Sequence, residues 1–220
     1  MAFINSSTFI ILCGKTGSGK SLLLQQIELS GYPTINLEKI ASHRGSVFGG
    51  LLLPPQPSQQ DFENELKRSI SRNTHSKYIF IESKTPSLGK RKIPTWLYSK
   101  MDDGILIELE VEKKTRIDNL FKEYTTAGKK KLLECLQKLK ERLPAAKFEQ
   151  SQMYLNTENY EEFIDNMLDY YDQSSRYHLP KKATITLPVG STSQYHIMQQ
   201  LIQLLQQAGI NISVGIPLSS

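Results

Sequence analysis

Apolar positions along this 220-residue chain keep two rhythms in turn. Short runs rich in β-branched and aromatic residues, at Thr8 to Cys13, Thr34 to Leu37, Tyr78 to Ile81, Ile105 to Val111, Thr184 to Leu187 and Asn211 to Val214, read as strands. Helical spacing fills most of the stretches between them. Strands alternating with helices predict a mainly parallel α/β sheet covered on both faces, because each parallel connection must cross over it. After the rigid connector Leu51 to Ser58, Ser58 and Asp61 mark the start of a helix to about Ser71. The strand rhythm stops between Lys129 and Tyr177. There Leu132, Leu133, Leu136, Leu139 and Leu143 keep helical spacing up to Pro144, and a second helix runs from about Thr157 to Tyr171. This predicts a core of residues 1–127 and 179–220 carrying a helical insertion or lid at 128–178.

Composition narrows the class. Hydrophobic residues at 39% and charged residues at 22% fit one sizeable core, and no apolar segment is long enough to span a membrane. The N-terminus lacks the basic region of a secretion signal, so a cytoplasmic location is expected. Cys13 and Cys135 stand apart with no metal-ligand spacing, as buried thiols in a reducing compartment would. The net charge of +5 is unevenly spread. Basic residues gather in Lys67 to Lys77, Lys84 to Lys100 and Lys129 to Lys147, whereas residues 183–220 carry no charged side chain, and the apolar content of that tail predicts that it completes the sheet. Basic clusters permit a polyanionic partner larger than a nucleotide; they equally describe a solvated surface.

The chemistry concentrates at Gly14-Lys15-Thr16-Gly17-Ser18-Gly19-Lys20-Ser21, a complete G-x-x-x-x-G-K-[ST] loop between a predicted strand and a predicted helix. Its glycines let backbone N–H groups turn inward around phosphate oxygens while the following helix aims its positive end at them. Lys20 adds a mobile charge, and Ser21 offers a hydroxyl to Mg²⁺. The fold this predicts is the P-loop NTPase class. His43 and Arg44 follow the second predicted strand at the same sheet edge, where Arg44 can present a planar fork to phosphate and His43 a second donor. Glu82, after the third predicted strand, is the candidate carboxylate for a metal-bound water, with Glu38 the second candidate. Lys84, Lys90, Arg91 and Lys92, followed by Trp96 and Tyr98, interleave cations and aromatics in a manner suited to RNA.

Several of these pieces together resemble one family. Cys13 to Ser21, then Asn36-Leu37-Glu38 leading into His43-Arg44-Gly45-Ser46-Val47-Phe48-Gly49, then Gln56-Pro57-Ser58-Gln59 with Phe62-Glu63, are similar to the phosphate-loop domain of tRNA 2-selenouridine synthase. Glu82 with Leu88-Gly89, Ile93-Pro94, and Leu168-Asp169-Tyr170-Tyr171-Asp172 extend the resemblance to residues 8–177. Asn36 stands where the family has Asp, and Ser83-Lys84-Thr85 follows Glu82 in place of a second glutamate. In the family's usual form a rhodanese domain with a reactive cysteine precedes this region, so the resemblance implies that a separate rhodanese-domain protein supplies the nucleophile. It implies a transferase acting on wobble 2-thiouridine: sulfur is prenylated with geranyl diphosphate, and selenium from selenophosphate then replaces it. Gly14 to Ser21, His43 and Arg44 would hold the donor, Lys20, Arg44 and Glu82 would serve catalysis, and Ser21 and Glu82 would take Mg²⁺. Lys84, Lys90, Arg91, Lys92, Lys130 and Lys131 would meet tRNA; neither DNA nor a membrane is implied. ATP or GTP at the loop stays open, as do a stand-alone small-molecule kinase or ATPase and a nucleotide-gated RNA-binding module.

Overall fold

The structure, a computed structural model, describes residues 7–82, 86–173, 184–190 and 192–214. Its strands are β1 (Thr8–Cys13), β2 (Thr34–Ile35), β3 (Tyr78–Glu82), β4 (Ser87–Leu88), β5 (Arg91–Lys92), β6 (Ile105–Val111) and β7 (Ile185–Val189). Its α-helices are α1 (Lys20–Leu29), α2 (Leu37–Ala41), α3 (Gln59–Arg72), α4 (Thr95–Lys100), α5 (Lys113–Gln137), α6 (Ala145–Asn156), α7 (Tyr160–Gln173) and α8 (Gln194–Gln207). Five parallel strands form one sheet in the order β2-β3-β1-β6-β7, and β4 pairs antiparallel with β5. This is the mainly parallel, doubly covered P-loop architecture expected from the rhythm of the sequence.

Two-sided burial explains the central strand. Phe9 and Ile11 of β1 face a cluster with Phe62 and Leu66 of α3 and Leu97 of α4. Ile10 and Leu12 face Leu23, Leu24 and Ile27 of α1 and Leu201 and Leu205 of α8. A continuous apolar run is what a strand buried on both faces requires, and each such side chain contributes roughly 2 kcal/mol. A third cluster joins α5, α6 and α7, and Phe48 and Leu51 from the loop after α2 plug into it. Phe48 packs against Tyr124 and Phe163 at ring distances of 5.3 and 5.7 Å.

Four local outcomes differ from the expectations. The second strand ends at Ile35, because Asn36 Oδ1 accepts the Lys39 amide at 2.8 Å and caps α2 instead of extending the ladder. Residues 211–214 carry no strand; among the described residues β7 is the sheet edge, where the missing N–H of Pro188 is tolerated. Residues 87–92, read as a loop, form the β4–β5 hairpin, held by two glutamines. Gln56 donates to Ala41 O and Leu88 O and accepts the Lys90 amide, while Gln59 exchanges both amide bonds with Lys92. Position 128 falls inside α5, where Gly128 breaks the helix with φ 79° and ψ 157°.

Because all five strands are parallel, their C-terminal ends share one edge. The loop after β1, the start of α2, the end of β3 and the start of α5 meet there, at the place where α/β sheets hold ligands.

Candidate phosphate-donor site

The loop from Gly14 to Ser21 is held from outside. Lys20 Nζ donates to Gly14 O at 2.7 Å and Lys15 O at 3.1 Å. Arg116 Nε donates to Thr16 O at 2.9 Å, and Asn119 Nδ2 to Gly17 O at 2.8 Å. Four consecutive carbonyls are thereby satisfied. Of the amides from Lys15 to Ser21, Ser18 donates to Lys15 O, and the other six have no acceptor among the described residues. Carbonyls bonded to side chains, with Lys20 Nζ also reaching Ser18 Oγ at 3.2 Å, and six amides without an acceptor among the described residues leave this loop, the cup, able to take an anion. Gly17 is needed for the close approach of α5, since a Cβ there would lie 2.8 Å from Arg116 O.

Arg116 is 2% exposed and forms a bidentate pair with Asp172 at 2.8 and 2.9 Å; Lys15 reaches the same carboxylate at 3.3 Å. Burial pushes the Asp172 carboxyl up, but Arg116 and Lys15 outweigh it and hold it below the ordinary range. The end of α7, the start of α5 and the phosphate loop are thus one bonded unit. Arg116, Asn119 and Asp172 were not singled out as site residues by sequence reading. The tyrosine-rich helix end containing Asp172 was the one signal available.

A carboxylate pair lies on the inner side. Ser21 Oγ donates a very short hydrogen bond to Glu38 Oε2, and the Glu38 amide donates to Glu82 Oε1 at 2.6 Å. Glu82 is fully buried at the end of β3, and its Oε2 has no hydrogen-bond partner among the described residues. Burial first, and the Glu38 charge second, push the Glu82 carboxyl well above its usual range. Desolvation lowers the Lys20 ammonium, with Glu38 opposing. Lys20, Ser21, Glu38 and Glu82 are therefore gathered as the sequence suggested, with Glu38 closer to the hydroxyl than Glu82. Hard oxygen atoms beside an orphaned buried carboxylate oxygen suit a Mg²⁺ ion.

Arg44 and His43 lie on the adjoining wall. Arg44 Nη1 donates to Glu123 on α5 at 2.7 Å and to Leu51 O at 3.2 Å, so its fork is engaged across the loop and not with the cup. Burial raises the Glu123 carboxyl, Arg44 lowers it and Glu38 raises it, which places this pair within electrostatic reach of the carboxylates. The His43 amide donates to Glu38 O at 3.0 Å, while its Nδ1 accepts the Gly45 amide at 3.0 Å. Lys90 and Lys92 are exposed and Arg91 half-buried on the β4–β5 hairpin; Lys130 and Lys131 are exposed on α5. Lys84 lies outside the described residues. A cleft of about 770 Å³ opens beside the cup, lined by Lys15, Ser18, Glu108, Leu109, Glu110, Val111, Glu112, Arg116, Pro188 and Val189.

A family model described as the tRNA 2-selenouridine synthase AAA domain matches residues 7–207. The chain belongs to that family. A tRNA 2-selenouridine synthase of Nitrosomonas eutropha is 36% identical over 129 residues, covering 57% of this chain and 32% of the relative. One from Shewanella sediminis is 31% identical over 218 residues, covering 84% of this chain and 58% of the relative. The chain thus spans less than two thirds of the length of these curated relatives. Among solved structures, TT1252 from Thermus thermophilus is 14% identical with a TM-score of 0.44, covering 92% of this chain and 98% of that one. Shikimate kinase from Acinetobacter baumannii is 12% identical with a TM-score of 0.40, covering 94% and 98%. No described helix is long and apolar enough to cross a membrane.

Proposed function

We propose that this chain binds the phosphorylated donor in a tRNA 2-selenouridine synthase reaction and presents it to tRNA. The supporting observation is the cup itself, in which the carbonyls of residues 14–17 are each bonded to a side chain and six amides remain free. Geranyl diphosphate or selenophosphate would place its phosphate oxygens on those amides. Lys20 would exchange its carbonyl partners for the departing phosphate, and Arg44 would turn from Glu123 to do the same. Electrostatic stabilisation of the leaving oxygens is the main assistance such a transfer needs. Ser21, Glu38 and Glu82 would hold Mg²⁺, which supplies positive charge to those oxygens. Lys90, Arg91, Lys92, Lys130 and Lys131, together with Lys84, form the RNA-facing set.

Neither cysteine is suited to act as the sulfur nucleophile. Cys13 is buried on β1 with its thiol pushed up to about 11, and burial raises Cys135 as well. A thiol held protonated is a poor nucleophile. Two buried, protonated thiols support the reading, implied by the family resemblance, in which a rhodanese-type domain supplies the reactive cysteine.

Incubating the chain with tRNA carrying wobble 2-thiouridine and geranyl diphosphate, with and without a rhodanese protein, tests this by mass spectrometry of the nucleosides. A mass gain on thiouridine is expected. ATP turnover with no change in the tRNA would instead support a stand-alone kinase or ATPase, a reading that the cleft beside Lys15 and Ser18 favours because it could seat a nucleoside.

A further inference from the structure

Three segments far apart in sequence meet around His43. The loop after α2 presents the imidazole between two glycines: a Cβ at Gly89 in the β4–β5 turn would lie 2.7 Å from His43 Cδ2, and one at Gly50 would lie 3.5 Å away. Gln56 clamps the hairpin in that position through Leu88 O and the Lys90 amide. From the other side, Phe48 fixes the loop to α5, and Lys138, which caps the end of that helix, lies close enough to act electrostatically on the imidazole.

The geometry sets the tautomer. Nδ1 accepts the Gly45 amide, so in the neutral ring the proton sits on Nε2, which has no partner among the described residues. Burial, with Lys138 and Arg44 adding to it, keeps the ring neutral by lowering its pKa. Around this fixed donor the cations lack counter-charges. Among the described residues, Lys90, Arg91, Lys92 and Lys138 have no carboxylate within ion-pair distance, a state they share with Lys67, Lys77, Lys114, Lys122, Lys140 and Arg142 elsewhere; what sets the first four apart is that the hairpin and Lys138 approach His43. Arg91 Nε is also buried without an acceptor. Unpaired cations and an orphaned Arg91 N–H on the hairpin that packs against an oriented imidazole N–H are suited to an anion that the described residues do not provide.

We propose that His43, Arg91 and Lys138 grip a phosphodiester of the tRNA backbone where the strand crosses the rim of the donor cup, so that His43 serves the RNA and not the donor. This rests on the tRNA reading above and sharpens it: the hairpin and α5 bind as the two sides of one track. The His43 amide donates to the main-chain O of Glu38, so the loop that carries the imidazole leaves the same short helix whose Glu38 carboxylate accepts Ser21 Oγ.

The test uses the full chain, wobble-thiolated tRNA and geranyl diphosphate, with tRNA affinity measured across salt concentrations and donor affinity by calorimetry. His43→Asn keeps an acceptor for the Gly45 amide but removes the distal N–H; His43→Gln keeps an N–H near the Nε2 position. His43→Asn and Lys138→Ala are each expected to weaken tRNA binding roughly tenfold, and Lys138→Ala to lower the salt slope by about one, while donor affinity stays at wild-type level. His43→Gln should recover most of the affinity, and Lys140→Ala, on an exposed side chain, should leave it unchanged. Thermal unfolding of each variant separates these effects from misfolding. Loss of donor affinity in His43→Asn with tRNA binding intact would overturn the proposal and return His43 to the cup. Unchanged tRNA binding in both variants would overturn it equally. Failure of the wild-type chain to bind tRNA in a salt-dependent way would sink the tRNA reading itself, a distinct outcome.

Discussion

Glu82 carries the sharpest consequence at the scale of a single residue. Its carboxyl is fully buried, accepts one amide and leaves Oε2 unpartnered among the described residues. The folded state therefore keeps its proton over a pH range in which the unfolded chain has lost it. With more protons bound in the native state, stability falls as pH rises. The contribution is fully present below the ordinary glutamate range and disappears as pH climbs through the raised folded value. Glu82→Gln retains an acceptor for the Glu38 amide and has nothing to titrate. Urea unfolding between pH 5 and pH 8 should therefore show a stability profile flatter than wild type by up to about 1.4 kcal/mol per pH unit. Parallel profiles would mean that Glu82 is ionised in the folded protein. Asp172 behaves in the opposite sense. Its depressed folded value stabilises the protein above the ordinary aspartate range, and that contribution is lost as pH falls. Asp172→Asn leaves the buried Arg116 guanidinium without its counter-charge and should cost about 3 kcal/mol by the same unfolding assay, together with weaker donor binding.

At the scale of elements, α5 links the two halves of the account. Its first turns hold the phosphate loop through Arg116 and Asn119, and its last turns carry Lys130 and Lys131, with Lys138 capping its end. Between them Gly128 adopts φ 79° and ψ 157°, a conformation that residues with a Cβ avoid, although a Cβ there would meet nothing within 4 Å. Gly128→Ala is thus strained by backbone conformation alone and should lower stability by about 1–3 kcal/mol in thermal or urea unfolding; a neutral or stabilising result would mean the helix can run straight through this point. Much at this scale was legible beforehand. The loop from Gly14 to Ser21 is local, its residues adjacent in sequence, and the run of β1 could be read as a two-sided strand without any partner. The grip of α5 on the loop was not legible, because Arg116 and Thr16 are 100 residues apart and Arg116 and Asp172 are 56 apart. Nothing in a single sequence pairs them until the parallel sheet brings the start of α5 beside the end of β1. The start of α2 at Leu37 was missed for a different reason: an asparagine cap and an apolar strand continuation compete over the same few residues, and the cap won.

Over the whole molecule, cations differ in whether a carboxylate partners them. Cations that hold the fold are paired with carboxylates, as Arg116 is with Asp172 and Lys113 with Asp165 and Asp169. Among the described residues, Lys90, Arg91 and Lys92 on the hairpin and Lys130, Lys131 and Lys138 have no carboxylate within ion-pair distance, as is also true of Lys67 and Lys140. Clustering was visible in the sequence, but which cations were free was not, since that depends on carboxylates supplied by distant helices. Association with tRNA should accordingly weaken steeply between 50 and 200 mM salt, whereas fold stability should change little over that range. The account depends most on the cup. Its most direct test is a titration of ¹⁵N-labelled protein with geranyl diphosphate, followed through amide resonances. Gly17, Gly19, Lys20 and Ser21 should shift together and saturably, and Lys20→Ala should abolish the response while the rest of the spectrum keeps its wild-type dispersion. Donor binding that leaves those four amides unmoved would contradict the account.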